Sequence, residues 1–177
     1  PLLADFIQWV ITDKRPFHVF DLVKQLRSYW AKHPGVVKVL THGAASKVSD
    51  KEKRSVAELV KNSAIGPREG AQLFRLALWM EAQNIVELGT NAGISTLYLH
   101  FANRRAIMHT IEANPVVAGM ARKTFEIARC GIGLHQHLGT FVEVLPRLLP
   151  TLTEIDLLFI DGDHRYQATL DYFRQCA

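Results

Sequence analysis

The stretch Asn84–Leu99, Asn-Ile-Val-Glu-Leu-Gly-Thr-Asn-Ala-Gly-Ile-Ser-Thr-Leu-Tyr-Leu, decides the fold. Its first part, Ile85–Leu88, is a short and largely apolar run that ends at a glycine, which is typical of a buried parallel strand. From Ile94 onward the apolar residues recur at helical spacing. The sequence therefore predicts a strand that runs through a tight glycine turn, Gly89–Gly93, into a helix, as in the repeating unit of an α/β sheet.

The glycine turn has the features of a ligand site. Gly89 and Gly93 leave room for a ligand near the backbone, and the following helix points its first N–H groups toward the same place. Glu87 precedes the turn, near the carboxyl end of the buried strand. A buried carboxylate is costly unless a cation or hydrogen-bond donors meet it. An ordinary strand-to-helix turn that binds nothing is the alternative interpretation.

Two classes of ligand use such a turn. A nicotinamide or flavin dinucleotide requires G-x-G-x-x-G, in which the second glycine admits the pyrophosphate and the third lets helix and strand pack. Asn91 and Ile94 stand at those two positions, which argues against an NAD(P)-dependent oxidoreductase. S-adenosylmethionine carries an ammonium and a carboxylate but no phosphate. An acidic residue ahead of the turn and N–H groups behind it suit that zwitterion.

A second strand, Ala106–Ile111, ends in another acidic residue, Glu112. A carboxylate at the tip of the second strand can accept hydrogen bonds from both ribose hydroxyls of an adenosine. The alternative is a helix cap, because Glu112 also precedes a helix predicted over Pro115–Arg129. Ribose binding is the favoured interpretation, since two acidic residues follow the pattern that such a site needs.

Leu134–Leu138 is the third predicted strand, and it contains two histidines. His135 and His137 alternate along it and would share one face. A pair of metal ligands is one interpretation, but partly exposed strand histidines are commoner and are favoured here.

The fourth predicted strand, Ile155–Ile160, leads directly into Asp161–Tyr166 (Asp-Gly-Asp-His-Arg-Tyr). Two carboxylates and an imidazole at the carboxyl end of a strand lie where open α/β sheets place their chemistry. The alternative is an N-capped turn into a helix over Tyr166–Phe173. That alternative explains the second aspartate but accounts for neither Asp161 nor His164.

The segment Glu-Leu-Gly-x-x-x-Gly-x-Ser, from Glu87 to Ser95, resembles the first motif of class I S-adenosylmethionine-dependent methyltransferases. It is most similar to that of the small-molecule O-methyltransferases of the catechol and caffeoyl-CoA type. Gly70 lies 19 residues before the first motif glycine, as a helix glycine does in that group. Arg15–Val23 and His42–Ser46 look like the N-terminal cap of an uncharacterised bacterial branch. The resemblance implies methyl transfer from S-adenosylmethionine to a small-molecule acceptor, with a hydroxyl as the expected acceptor group.

The resemblance also implies roles for particular residues. In these enzymes the residues after the third strand flank the adenine, and here they are Thr140 and Phe141. The segment after the fourth strand is similar to the Asp-x-Asp-Lys of cation-dependent O-methyltransferases, whose first Asp holds a divalent cation such as Mg²⁺. In this chain Asp161 matches that Asp, and His164 stands in place of the Lys. Asp161 and His164 are therefore the expected catalytic residues, and the expected cofactor-binding residues are Glu87, Gly89, Thr90, Asn91, Gly93, Ser95, Glu112, Ala113, Thr140, Phe141 and Asp161.

Length and composition indicate a globular protein with enough chain for a core. The 177 residues are 48% hydrophobic and 21% charged. The net charge of +4 is mild and basic residues alternate with acidic ones, which argues against a nucleic-acid partner. Cys130 and Cys176 are far apart, which predicts free thiols in the cytoplasm. Pro1–Val10 is too short and too interrupted to predict a signal peptide or a membrane span.

We therefore expect an α/β protein with a Rossmann-like, doubly wound parallel sheet of strand order 3-2-1-4. Residues 1–62 are expected to form a helical cap, with one helix starting at a capping box of Ser49 and Glu52, and residues 63–177 the cofactor-binding domain. The resemblance implies seven strands, about three more than the sequence contains. The free edge of Ile155–Ile160 is therefore expected to be covered, for example in a homodimer. An adenosine-cofactor-binding protein without turnover is the alternative to an enzyme.

Overall fold

The computed structural model of the protein describes residues 2–38 and 53–177. Its helices are α1 (Leu2–Phe6), α2 (His18–Ala31), α3 (Val56–Ser63), α4 (Pro67–Trp79), α5 (Ile94–Ala102), α6 (Pro115–Ala128), α7 (Phe141–Leu148) and α8 (Tyr166–Cys176), with a π-helical segment at Ile7–Ile11 and a 3₁₀ turn at Leu149–Thr151. Its strands are β1 (Val36–Lys38), β2 (Lys53–Ser55), β3 (Asn84–Leu88), β4 (Ile107–Glu112), β5 (Leu134–Leu138) and β6 (Leu157–Ile160).

Four parallel strands form the central sheet in the order β5-β4-β3-β6. This is the predicted order 3-2-1-4, and the Rossmann-like α/β prediction is confirmed. The central strand β3 pairs with β4 on one side and with β6 on the other, so that Leu88 lies opposite both Ile111 and Ile160. The carboxyl ends of β3, β4 and β6 consequently meet at one edge of the sheet, where such folds bind ligands.

Two of the predicted strands start later than expected. β4 begins at Ile107 because the backbone N–H of Ala106 bonds to the carbonyl of Asn103 in a turn. β6 begins at Leu157 because the side chain of Asp156 turns back and accepts hydrogen bonds from the start of β3. Both strands therefore begin directly after a turn.

The predicted start of α3 was wrong. Residues 49–52, which carry the proposed capping box, lie outside the described residues, and Lys53–Ser55 forms a strand with β1 rather than the first turn of a helix. The helix begins at Val56, with Ser55 as its N-cap. The Ser55 hydroxyl accepts the backbone N–H of Glu58, and the Glu58 carboxylate accepts the N–H of Ser55. The same Ser-x-x-Glu pattern occurs twice, and the second copy starts this helix.

The sheet is covered on both faces. Ile85 of β3 faces the larger core, which α2, α4, α5 and α6 contribute to, while Val86 and Leu88 face a smaller core closed by α7 and α8. Leu145 of α7 is fully buried in that smaller core. Each such fully buried aliphatic side chain contributes about 1.5–3 kcal/mol to folding. The strand β3 is therefore buried on both of its faces.

β6 forms one edge of the central sheet, because among the described strands it pairs only with β3. Its residues Leu158, Phe159 and Ile160 are half-buried. Pairing of this edge with another chain stays a prediction. The helices within the described ranges include none with both the length and the apolar character needed to cross a membrane.

Candidate functional site

The turn after β3 has a left-handed backbone at three positions. Gly89 has φ of +108° and Gly93 has φ of +80°, and Asn91 between them is also left-handed. A Cβ on Gly89 would lie 2.6 Å from the carbonyl oxygen of Asp161. The glycine therefore allows the end of β6 to approach the end of β3 closely.

The space beside Gly93 is filled by the protein itself. A Cβ at Gly93 would lie 2.6 Å from the ring of Phe125 on α6. The expectation that both glycines leave room for a ligand is thus corrected at these two points, where the Asp161 backbone and the Phe125 ring occupy that space. Local packing alone explains both glycines, and their contact with a cofactor stays a prediction.

A buried hydrogen-bond relay fixes the same turn from the other side. The indole N–H of Trp30, on α2, donates to the Thr124 hydroxyl on α6 over 2.9 Å. That hydroxyl donates to the carbonyl of Ala92 within the glycine turn over 2.7 Å. The N-terminal helix α2 is therefore bonded, through one side chain, to the turn.

Glu87 is fully buried at the end of β3. Its Oε2 accepts hydrogen bonds from the hydroxyls of Thr96 and Thr110, each over 2.6 Å. Its Oε1 has no hydrogen-bond partner in the part of the chain that the structure describes. Burial raises the pKa of Glu87 to about 7, against the lowering effect of the hydroxyls of Ser95, Thr110 and Thr96, and the charge of Asp161 raises it further.

The hydroxyl network around Glu87 extends to Thr90. Because the single hydroxyl hydrogen of Thr110 is donated to Glu87, the Thr90 hydroxyl must donate to Thr110, over 2.6 Å. Thr90 is fully buried, backbone included, and its contact with a cofactor stays a prediction. Sequence reasoning missed Thr96 and Thr110. Thr110 could have been considered from its place in the second predicted strand, because in the structure it pairs directly with Glu87.

Glu112, at the end of β4, connects the strand tip to the glycine turn. Its Oε2 accepts the backbone N–H of Asn91 and its Oε1 accepts that of Asn114, each over 2.9 Å. The N-cap of α6 is Asn114, whose side chain accepts from Val116 and Val117. The helix cap is therefore Asn114 and not Glu112. The carboxylate of Glu112 is held beside the glycine turn.

The remaining residues of the predicted cofactor site lie in three places. Ser95 is buried in the first turn of α5, and Ala113 is half-buried beside Glu112. Thr140 is the N-cap of α7, where its hydroxyl and backbone N–H both bond to Glu143. Phe141 packs edge-on against Tyr172, with ring centroids 5.3 Å apart. Because the Thr140 side chain serves the cap, an adenine there would meet backbone groups and the Phe141 ring.

The segment after β6 combines a half-buried acid with an exposed imidazole. The backbone N–H of Asp161 bonds to the carbonyl of Leu88, so Asp161 continues the edge of the sheet. Burial raises the pKa of Asp161, and the charge of nearby His164 lowers it. His164 is exposed.

Asp163 does not cap α8, contrary to expectation. The N-cap position is Arg165, which makes no side-chain cap. Asp163 adopts a left-handed backbone, with φ of +48°, and its carboxylate bonds to the Arg165 guanidinium and the Tyr172 hydroxyl. The hydrogen bonds of Arg165 and Tyr172 lower the pKa of Asp163. These two partners occupy the carboxylate that a helix cap would have used.

The structure thus brings the predicted acids together at one edge. Glu87 and Glu112 lie at the ends of adjacent strands, and Asp161 is close enough for its charge to affect Glu87. Across residues 2–38 and 53–177, no group of three or more His, Cys, Asp or Glu side chains is arranged to hold a metal ion.

Comparisons with known proteins agree with this fold. The sheet order and overall fold match an O-methyltransferase of Bacillus cereus solved in complex with S-adenosylhomocysteine, with a TM-score of 0.64 and 21% identity over 99% of this chain and 68% of that one. They also match an O-methyltransferase of Streptomyces achromogenes involved in tomaymycin synthesis, solved with S-adenosylmethionine, with a TM-score of 0.63 and 21% identity over 92% and 60%. The fold is the Rossmann-like methyltransferase fold.

A family model described as a methyltransferase domain matches residues 86–177, and the chain belongs to that family. A catechol O-methyltransferase of Niastella koreensis is 35% identical over 104 residues, which are 56% of this chain and 46% of that protein. A protein of Mycobacterium tuberculosis named "Probable O-methyltransferase" is 32% identical over 142 residues, 77% of this chain and 58% of that protein. The chain spans about half the length of these relatives.

Proposed function

We propose that this chain binds S-adenosylmethionine at the carboxyl edge of β3, β4 and β6, and that the protein transfers its methyl group to the hydroxyl of a small molecule. The observation that carries the proposal is the convergence of Glu87, Glu112 and Asp161 around the glycine turn. Family membership supports it. So do the cofactors named in the titles of the two matched structures.

The residues present suit the two ends of this cofactor. Glu112 is held beside the turn by the N–H groups of Asn91 and Asn114, and a carboxylate in that position suits the hydroxyls of a ribose. Glu87 is buried with Oε1 unpartnered within the described ranges. We infer that an ammonium placed beside the turn favours the charged form of Glu87, directly or through a water.

The acceptor side is assigned to Asp161 and His164. Bound S-adenosylmethionine supplies a methyl carbon on a positively charged sulfur. The acceptor oxygen must lose a proton as it bonds to that carbon, and an exposed imidazole can take that proton. The main work of the chain is therefore to position the acceptor, with His164 as the proposed base and Asp161 beside it.

A divalent cation at Asp161 is implied by the resemblance alone. The described residues do not supply three ligands there, so no step of the proposed reaction uses a metal ion. The convergence of acidic residues around the glycine turn also supports the second candidate, an adenosine-cofactor-binding protein without turnover. An NAD(P)-dependent oxidoreductase is less favoured, because the buried Ile94 occupies the position of the third glycine.

The partners and location are also proposals. The O-methyltransferase names of the relatives support a small-molecule acceptor rather than a nucleic acid, and the β6 edge supports a homodimer. Cys130 and Cys176 are unpaired, which supports the cytoplasm.

Calorimetric titration of the chain with S-adenosylhomocysteine and with NAD tests the cofactor. We expect binding of the first and none of the second. Glu112→Ala should lower the affinity roughly 10- to 150-fold, which corresponds to about 1.5–3 kcal/mol. Glu126→Ala, an exposed glutamate on α6, is the matched control and should bind like the wild type.

Turnover by the whole protein, starting with catechol as acceptor because of the name of one relative, then separates an enzyme from a binding protein. Wild-type affinity in Glu112→Ala would remove the ribose role. Tight NAD binding would overturn the cofactor assignment.

A further inference from the structure

Three imidazoles lie on one face of the sheet, away from the residues used above. His109 comes from β4, and His135 and His137 come from the edge strand β5. In the parallel register His109 lies opposite His135, and His137 lies opposite Ile111, so all three side chains project to the same side. The predicted pair of strand histidines is therefore joined by a third from the neighbouring strand.

Two of these imidazoles are bonded to each other. Nδ1 of His109 and Nε2 of His137 are 2.9 Å apart, and the rings are inclined by 28°. Two neutral rings make this bond when one nitrogen donates and the other accepts. Burial, together with the charges of His137 and His135, lowers the pKa of His109 to about 4. Both rings are half-buried, whereas His135 is exposed and takes no part in the bond.

The 2.9 Å between the two nitrogens is an ordinary hydrogen-bond length, and it is also a separation that one metal ion can bridge once the rings have rotated. Metal–imidazole bonds are about 2.0–2.1 Å long, so two imidazole nitrogens at 90° around one ion lie about 2.9 Å apart. A tetrahedral ion would separate them by about 3.3 Å. Right-angled coordination by nitrogen and oxygen is typical of Ni²⁺ and Cu²⁺.

We propose that His109 and His137 form a two-histidine binding site for a divalent late transition-metal ion, Ni²⁺ or Cu²⁺, with water in the remaining positions. To bind, the rings rotate so that the two nitrogens face the ion instead of each other. The proton between them moves to the outer nitrogen of the ring that carries it, so no proton is released. The site needs two protein ligands, consistent with the absence of a three-ligand cluster in the described parts of the chain.

An ion held in this way would join the edge strand β5 to β4. Binding to the folded state alone raises the stability of that state by mass action. The proposed site would therefore act as a metal-dependent clasp between two strands, independent of the methyltransferase chemistry.

Isothermal titration calorimetry of the chain with Ni²⁺ tests the site. His109→Asn and His137→Asn should each weaken binding at least about tenfold, since loss of only a partner of a ligating histidine already costs 10- to 100-fold. His135→Asn removes the neighbouring imidazole and leaves the pair, and it should bind within about threefold of the wild type. His18→Asn, on α2, controls for scattered histidines.

A second readout keeps the test independent of folding defects. Circular dichroism should show the same secondary structure in all variants, and Ni²⁺ should raise the Tm of the wild type and of His135→Asn but not of His137→Asn. The electron spin-echo envelope modulation spectrum of the Cu²⁺ complex should show the remote nitrogens of two bound imidazole rings. Equal Ni²⁺ affinity in the wild type and in His137→Asn, or an equal loss in His135→Asn, would overturn the two-histidine site.

Discussion

The carboxyl ends of β3 and β4 differ from that of β6 in how their functional groups are held. Glu87 and Glu112 each accept hydrogen bonds from donors that the protein supplies, two hydroxyls in one case and two backbone N–H groups in the other. Beyond β6, Asp161 is half-buried and His164 is exposed. The first region is organised before any ligand arrives, whereas the second faces solvent. Cofactor binding and turnover should therefore respond to different substitutions.

The largest effect should come from breaking the organised region at Gly89. Gly89→Ala places a Cβ against the Asp161 carbonyl in a strained backbone, and we expect the free energy of unfolding to fall by roughly 3–5 kcal/mol. Gly119→Ala on α6 meets nothing within 4 Å and should raise it by about 0.5–1 kcal/mol. Urea denaturation measures both. A Gly89→Ala protein as stable as the wild type would show that the turn is not closely packed.

The pH dependence of stability should report on Glu87. Its pKa of about 7 in the folded state exceeds the ordinary 4.5, so the folded state holds the extra proton between those values. The free energy of unfolding should therefore fall as the pH rises from 4.5 through 7, by about 3 kcal/mol from this group.

Glu87→Gln removes this term. The stability difference between the variant and the wild type should shift by about that amount in favour of the variant over the same pH range. Glu126→Gln, at an exposed glutamate, should leave the profile unchanged. Parallel profiles for the wild type and Glu87→Gln would mean that the buried acid does not titrate there.

His164→Ala tests the solvent-facing region beyond β6. If His164 takes the acceptor proton, its loss should lower turnover by the whole protein about 100-fold or more, or about 2.7 kcal/mol. Affinity for S-adenosylhomocysteine should stay within about twofold, because the cofactor region does not include this side chain. His18→Ala is the control. A parallel loss of cofactor affinity would instead place His164 among the binding residues.

The smallest effect is expected at Tyr172. Tyr172→Phe removes the hydroxyl that donates to Asp163 over 2.8 Å, and we expect a loss of about 1–2 kcal/mol in the free energy of unfolding. Tyr166→Phe on the same helix changes an exposed hydroxyl and should have an effect within about 0.5 kcal/mol. Thermal unfolding compares the two. Equal effects would show that the hydroxyl does not hold the left-handed Asp163.

The βα units could be predicted because they follow from local signals, whereas the strand order was implied by the resemblance to class I methyltransferases. An apolar strand, a glycine turn and a helical repeat define each βα unit, and the acids at strand ends mark one edge. The hydroxyl groups that donate to Glu87 could not be predicted from the sequence. Thr96 and Thr110 lie on different elements and become neighbours only when β3 pairs with β4. The role of Asp163 was predicted wrongly for a similar reason, since its partner Tyr172 lies more than two helical turns away.

The start of α3 shows another limit of the sequence. Two Ser-x-x-Glu patterns precede the same apolar run, and both satisfy the capping rule locally. Only the pairing of Lys53–Ser55 with Val36–Lys38, on the far side of residues 39–52, decides between them. Tertiary contacts thus select among equally good local signals.

The bond between Trp30 and Thr124 has a practical consequence for spectroscopy. An indole N–H gives a resolved signal in proton spectra, and that of Trp30 is one hydroxyl away from the carbonyl of Ala92. A change in the glycine turn would alter the strength of this bond and so the chemical shift of the indole proton. The chain therefore contains a natural reporter, distant in sequence from the turn, through which occupancy of the site could be followed without any label.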